Sequence, residues 1–319
     1  MPKITSEKNQ SIFKEVLIVQ DSTDTRLDVF IASKFPDIPR TLIQKHIKNG
    51  FITVNKKRIK PRYLIKKGDL VKIRIFQKTA PLCIEPQADL PISIIAKHDD
   101  FLIINKPSGI SVHPSDHEHR NTVVNWALAH FPQITSVGED PLRPGIVHRL
   151  DKDASGLLII ALKQKSFEFF KKQFKERTIR KKYHVFCWGT FKQKKGDIST
   201  FIGRSKARPT CQSTSARAEK LINPKNALTS FSVLKDNGKI SLVEIELKTG
   251  RKHQIRIHLQ SIGHPVVGDK LYFTKNTKQK NAPFSRLFLH ASHLSFKYSN
   301  MKKYEFSCPI PLKFSKHLK

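Results

Sequence analysis

From residue 92 onward the chain is built of short apolar runs with very little helix between them. Residues 92–95, 101–105, 157–161, 183–189, 230–234, 242–247 and 287–290 each read as a strand, bounded by Gly, Pro or polar residues. A doubly wound parallel sheet needs a crossover helix between most successive strands, and this stretch offers two clear ones. One covers residues 122–131; the other begins at the cap candidate Ser166 and carries Phe170 and Phe174 four residues apart. Residues 253–262 read as a further short helix. The expectation for residues 92–319 is therefore an α+β domain with a mixed, largely antiparallel sheet. No internal repeat is evident, and residues 274–283 read as an ordinary polar loop.

A length of 319 residues exceeds what one core usually serves, so two domains are expected. Residues 25–76 read as a small α/β unit. Leu27, Phe30 and Ile31 recur at helical spacing after the cap candidate Asp24, and Ile43 and Ile47 mark a second helix opened near Pro39 and closed by Gly50. Residues 51–56 form a strand running into a turn, and Lys67-Gly68-Asp69 is a turn leading into an alternating strand. Residues 1–24 lack the apolar core of a secretory signal and read as a disordered lead. Residues 77–91, with Pro81, Pro86 and Pro91, have no period and read as a linker.

The charge balance selects the partner. With 59 Lys and Arg against 26 Asp and Glu, the chain carries +33, an excess that repels itself unless a polyanion is present. Nucleic acid is the expected partner, since no apolar run of about 18 residues offers a membrane span. Residues 1–80 hold 18 basic and 7 acidic side chains, so both halves share the excess. In the small unit Arg40, Lys45 and Lys48 project from the second helix away from its apolar stripe. Lys56, Lys57, Arg58, Lys60 and Arg62 crowd the adjoining loop. On charge alone this face is either a solvated helix surface or an RNA-binding one. The four cysteines, Cys83, Cys187, Cys211 and Cys308, form no Cys-x-x-Cys pair, which suggests neither a zinc site nor a disulfide framework and fits a reducing cytoplasm.

Residues 144–160 set one carboxylate, Asp151, between basic residues and an apolar run. Spacing alone leaves a plain turn residue and a carboxylate held for chemistry equally open. The residues around it separate the two. His148-Arg149-Leu150-Asp151 followed by Ser155-Gly156-Leu157-Leu158 resembles the catalytic signature of the RluA/RluC/RluD-type pseudouridine synthases. Three more segments match that family in order: residues 104–114 with Asn105-Lys106-Pro107, residues 180–185 with Lys182-Tyr183, and residues 249–259 with 263–269. In the small unit Arg26-Leu27-Asp28, two short helices, a Gly50-Phe51-Ile52-x-Val54-Asn55 run and Lys67-Gly68-Asp69 resemble the αL RNA-binding motif named after a ribosomal small-subunit protein. The chain departs from these patterns at Lys56, where a turn Gly is usual, and at Ala154, where Thr is usual.

The resemblance implies isomerisation of uridine to pseudouridine in structured RNA, with large-subunit (23S) ribosomal RNA as the expected substrate and transfer RNA as the alternative. The base is detached, turned and rejoined through ring carbon without redox change or net hydrolysis, so no cofactor and no metal are expected. Asp151 is implied as the carboxylate acting at the anomeric carbon. Arg256 is implied as the cation holding it ionised, and Tyr183 as a stacking residue that handles the ring proton. Arg149 is implied to fill the place of the extruded nucleotide, and Arg251 joins Arg40, Lys45, Lys48, Lys57, Arg58 and Arg62 as candidate RNA contacts. A monomer in the cytoplasm is expected. Two other classes fit parts of the sequence. A metal-dependent nuclease would use Asp151 and Asp153 with Glu244, Glu246 or Asp269, against the repulsion of Arg149, Lys152 and Arg256. A catalytically silent RNA-binding or ribosome-assembly factor would need only the basic small unit. Histidines 253, 258, 264, 290 and 293 lack the paired spacing with Glu that a zinc enzyme needs.

Overall fold

A computed structural model describes residues 10–20, 25–36, 38, 40–78, 84–115, 118–206, 211–274, 277, 284–298, 302–311 and 314. The chain divides into two compact units, Met1–Cys83 and Ile84–Lys319. In the first, α1 (Leu27–Lys34) and α2 (Arg40–Lys48) pack on a three-stranded antiparallel sheet. Its strands are β1 (Gln10–Ile18), β2 (Ile52–Val54) and β3 (Leu70–Lys78), in the order β1-β3-β2. Leu27, Ile31, Ile43, Ile47, Ile52, Val71 and Ile73 fill the core, as the helical and alternating spacings require.

Strand β1 replaces the expected disordered lead over residues 10–18. It pairs antiparallel with β3 from Gln10↔Lys78 to Ile18↔Leu70, and Leu17 packs against the core. Its alternation is hidden in the sequence because Val16 and Ile18 stay exposed on the open face, so the run reads as a block of apolar residues with no polar face. The expected cap Asp24 and the opener Pro39 lie outside the described residues; Arg26 occupies the cap position of α1 without a side-chain cap. Asn55 and Lys56 both take left-handed φ (51° and 63°), so the turn forms without glycine. Asn55 tolerates that conformation because its side chain is anchored: Nδ2 donates to Asp69 (2.8 Å) and Oδ1 accepts from the Leu70 amide (2.8 Å).

The expected linker 77–91 is cut from both ends. β3 runs to Lys78, while Ile84 and Leu90 pack on the core of the second unit and Asn125 Nδ2 donates to the Glu85 carbonyl (2.8 Å). Residues 79–83 lie outside the described residues, as do most of 274–283. Ten strands of the second unit form one sheet among the described residues. They are β4 (Ser93–Lys97), β5 (Phe101–Lys106), β6 (Ser155–Ala161), β7 (Arg180–Trp188), β8 (Lys195–Ser205), β9 (Gln212–Ser215), β10 (Leu221–Asp236), β11 (Ile240–Leu247), β12 (Leu289–Tyr298) and β13 (Lys302–Ser307). The order is β4-β5-β6-β12-β7-β11-β10-β8-β9, with β13 on β12. Among the strands of the described residues only β12 and β6 pair in parallel, over two residue pairs, so the α+β, largely antiparallel architecture stands. At that junction Gly156 (φ 111°) is obligatory, because a Cβ there would lie 2.2 Å from the Ala291 carbonyl oxygen.

Among the described residues three α-helices accompany the sheet: α3 (Val123–His130), α4 (Gln164–Glu176) and α5 (Gln254–Ser261). Thr122 caps α3 in a reciprocal pair with Asn125. Ser166, expected as the cap of α4, sits inside its first turn; it is buried and donates to the Asp100 carbonyl (2.6 Å), tying the helix to the start of β5. Among the described residues no helix is long and apolar enough to cross a membrane.

Candidate active site

A cleft of about 530 Å³ opens along one face of the central strands, between the loop that precedes β6, the start of β7 and the β11–α5 turn. Asp151 stands in the first of these. Its loop is fastened from below by the 106–111 segment. The Gly109 amide donates to the Lys152 carbonyl (2.9 Å) and Ser108 Oγ to the Asp153 carbonyl (2.6 Å). Lys106 is fully buried, and its ammonium donates to the carbonyls of Pro107, Ile110 and Lys152 at 2.8, 2.8 and 3.0 Å. Burial pulls its pKa down to about 7, opposed by the charges of Asp151 and Asp153. Lys152 is drawn aside by Glu118 (2.7 Å), which also accepts from Ser111. The loop is thus locked through backbone atoms, leaving the Asp151 carboxylate in the cleft with 18% of its side chain exposed.

Arg256, on α5, faces that carboxylate. Its Nη1 donates to Asp151 Oδ2 (3.2 Å), while Nε and Nη2 make a bidentate pair with Asp269 (2.7 and 2.8 Å). Asp269 is fully buried and also accepts the amides of Leu271 (2.8 Å) and Tyr272 (2.9 Å). The Tyr272 ring lies under the guanidinium, 5.0 Å from Cζ to centroid. Burial alone would lower the pKa of Arg256, but Asp269 and then Asp151 outweigh it and push it up, so the cation is permanent. One guanidinium therefore serves two carboxylates: the fork fixes its plane on Asp269 and the remaining N–H is aimed at Asp151.

Tyr183 lines the same cleft from β7 and is buried at 6% exposure. Burial first, and the charge of Asp151 second, raise its pKa and keep the phenol neutral. Among the described residues its hydroxyl has no hydrogen-bond partner. Lys181, two residues earlier on the same face, sits 5.2 Å from the Phe174 ring, with burial lowering its pKa. Arg149 is exposed at the cleft mouth, and Arg251 on the opposite wall donates to the Asn226 carbonyl (3.1 Å). In the first unit Lys45, Lys48, Lys57, Arg58 and Arg62 are exposed without a carboxylate partner among the described residues. Arg40 differs. Its head group pairs with the fully buried Asp28 (2.9 Å), beside Arg26 and Gln44, so it closes the helix pair rather than standing free for RNA.

Asp151, Tyr183 and Arg256 are thus gathered in one cleft from three separate sequence segments. The carboxylates a nuclease would recruit are already engaged by cations: Glu244 by Lys182 (2.8 Å), Glu246 by Arg180 (2.9 Å) and Lys248 (2.6 Å), and Asp269 by Arg256. Among the described residues no three His, Cys, Asp or Glu side chains converge to hold a metal ion. Ala154 is buried beside Asp151, whose carbonyl accepts its amide (3.1 Å). Sequence reasoning gives no role to Lys106 and Tyr272 and names Asp269 only as a carboxylate for the nuclease alternative, although Lys106 and Asp269 lie inside the segments that resemble the family. A Lys flanked by strand and Pro, and an Asp after Val266-Val267-Gly268, are the available signals.

Comparison with known proteins places these features. A family model described as RNA pseudouridylate synthase matches residues 100–261, and one described as S4 domain matches residues 25–71. An uncharacterized RNA pseudouridine synthase of Bacillus subtilis is 34% identical over 93% of this chain and 94% of its own length. A ribosomal large subunit pseudouridine synthase C of Buchnera aphidicola is 33% identical over 95% and 96%. The solved structure of human RNA pseudouridylate synthase domain containing 1 superposes with a TM-score of 0.58 at 29% identity, covering 70% of this chain and 86% of that one. With a family model spanning half of its residues and relatives alike over nearly its whole length, the chain belongs to the RNA pseudouridine synthases, carrying an N-terminal S4 domain.

Proposed function

We propose that this protein isomerises particular uridines of large-subunit ribosomal RNA, with Asp151 as the reacting carboxylate, Arg256 as its fixed counter-ion and Tyr183 as the residue against the base. The observation that carries the reading is the buried Asp269–Arg256–Asp151 chain ending at a carboxylate in an open cleft, next to a buried neutral phenol. Uridine and pseudouridine are isomers: the N1–C1′ bond is exchanged for a C5–C1′ bond, C5 loses a proton and N1 gains one. A carboxylate beside the anomeric carbon can take up the sugar while the base turns, dividing one hard step into two. A fixed guanidinium supports the charged form at no cost in reorganisation. A neutral phenol offers a stacking face and a hydroxyl without adding charge. Arg149, exposed at the mouth, is read as the residue that enters the gap left by the extruded nucleotide.

Lys45, Lys48, Lys57, Arg58 and Arg62 form the proposed RNA-docking face of the S4 domain, with Arg251 on the cleft wall; Arg40 is left out because Asp28 holds it. The large-subunit substrate is supported by the named activity of a relative that matches end to end. The reading includes action in the cytoplasm, as a monomer. The test is pseudouridine mapping across total RNA from cells lacking the gene, complemented with the parent or with Asp151→Asn. The expected result is loss of one or a few large-subunit sites, restored by the parent alone. Restoration by Asp151→Asn would remove Asp151 from the chemistry, and loss confined to transfer RNA would overturn the substrate.

A further inference from the structure

His253 stands between Asp151 and Tyr272 and belongs to neither of the pairs that define the cleft. It occupies the cap position of α5 in the left-handed region (φ 57°), a conformation uncommon for a residue with a side chain. An outlier of this kind persists only where the surroundings over-determine it. Its Nδ1 lies 2.8 Å from the Tyr272 hydroxyl, and its Nε2 lies 3.9 Å from Asp151 Oδ1, the oxygen that Arg256 does not take.

The direction of this chain is set at its far end by a group that can only donate. The backbone amide of Gln212, on β9, donates to the Tyr272 oxygen (3.1 Å). If His253 Nδ1 were also a donor, Tyr272 would accept twice and its own proton would have no acceptor among the described residues, in a side chain only 6% exposed. The arrangement that satisfies every group runs one way: Gln212 N–H to Tyr272 oxygen, Tyr272 O–H to His253 Nδ1. The imidazole proton then resides on Nε2 and faces Asp151. The opposite tautomer would turn a lone pair toward the carboxylate, which is unfavourable for an independent reason.

We propose that His253 is a positioning residue for Asp151, locked by Tyr272 as the Nε2–H tautomer so that a neutral donor faces Oδ1 while Arg256 holds Oδ2. The two oxygens then differ: Oδ2 takes the guanidinium hydrogen bond, while Oδ1 meets only an uncharged N–H at 3.9 Å, beyond hydrogen-bonding distance. Oδ1 is thus the oxygen left free to approach the sugar, with its lone pair oriented before RNA arrives. Burial favours the neutral imidazole. Asp151 and Asp269 pull it toward protonation, and Arg256 and Lys252 push the other way, with burial the largest influence.

The inference rests on the reading of Asp151 as the reacting carboxylate, and its test is read on the free full-length enzyme so that the two can fail separately. Imidazole nitrogen NMR of ¹⁵N-histidine-labelled protein, with His253 assigned by difference against His253→Gln, reports which nitrogen carries the proton at neutral pH. The expected result is a protonated Nε2 and an unprotonated, hydrogen-bonded Nδ1, with the preference lost in Tyr272→Phe. A protonated Nδ1, or a tautomer indifferent to Tyr272→Phe, overturns the proposal whether or not Asp151→Asn is inactive. Kinetics supply the second arm. His253→Phe removes the donor and is expected to lower kcat by about tenfold with KM little changed, and Tyr272→Phe to lower it by about two- to tenfold, the range of one hydrogen bond. His253→Gln keeps an N–H of similar reach and is expected to recover most of kcat. Equal losses in His253→Gln and His253→Phe would reduce His253 to a packing residue.

Discussion

Replacing Asp269 with Asn tests whether the geometry of Asp151 depends on a residue that never meets the substrate. The amide is nearly isosteric, and its oxygen can still accept the Leu271 and Tyr272 amides at the Oδ1 position. The other end changes sign: an NH₂ replaces the Oδ2 that accepts from Arg256 Nε at 2.7 Å, so two donors oppose each other in a fully buried site. One charge-assisted hydrogen bond is lost, at about 1.5–3 kcal/mol, and a buried guanidinium N–H is left unmet, for a total of about 3 kcal/mol. For the unit Ile84–Lys319 that corresponds to a fall in Tm of about 6–12 °C. The guanidinium, no longer fixed in plane, turns toward Asp151 and moves it; a displacement of about 1 Å at a reacting group costs about 10²-fold in rate. The assay pairs thermal unfolding with single-turnover isomerisation at saturating RNA, and RNA affinity is measured alongside and expected to stay within about threefold. A variant that melts early yet turns over like the parent would show that Asp269 only stabilises α5. One unchanged in both would refute the shared-guanidinium account.

Tyr183→Phe keeps the stacking face and removes the unpartnered hydroxyl. Single-turnover rates should fall by roughly 10²-fold if that hydroxyl handles the ring proton, and a variant as fast as the parent leaves stacking as its only role. Deleting residues 1–83 removes a net charge of +11 and should flatten the salt dependence of RNA binding, by about 0.7–0.9 in the log–log slope for each phosphate no longer neutralised. Turnover on a short stem-loop at saturation should survive. An unchanged slope with turnover abolished would mean that the first unit serves the cleft instead of docking RNA.

How much of the fold is legible in the sequence follows from how each strand is buried. β5 and β6 are covered on both faces, so 101–105 and 157–161 read as apolar runs that match the strands to within two residues at either end. β9 is an edge strand and β8 its neighbour, both rich in exposed or half-exposed Thr, Ser, Gln and Arg side chains, and their apolar content is too thin to register. β12 is legible only at its start, because Ser292, His293 and Ser295 interrupt its apolar run. β13 alternates correctly but is made of Lys, Tyr, Glu and Phe at exposed or half-exposed positions. β1 is hidden for the opposite reason, an apolar run in which the exposed positions are also apolar.

The site divides along a similar line. Asp151, Tyr183 and Arg256 each sit in a short run of recognisable residues, so each is nameable before any contact is known. Asp269, Tyr272 and His253 act by direction: one flattens a guanidinium, one passes a hydrogen bond, one turns a donor toward a carboxylate. Direction is a property of the folded chain, since the Gln212 amide that sets it arrives from β9, far from His253 in the chain and in a strand the sequence does not announce. Lys106 shows the same limit. In the sequence Lys106 is one residue of a family-like segment with no sign of its partners, whereas in the fold three carbonyls from two loops close around it and make it the fastening beneath Asp151. A linear pattern can therefore identify the groups that meet the substrate, but the groups that decide whether those first ones are correctly aimed become visible only when separate loops are brought within hydrogen-bonding distance.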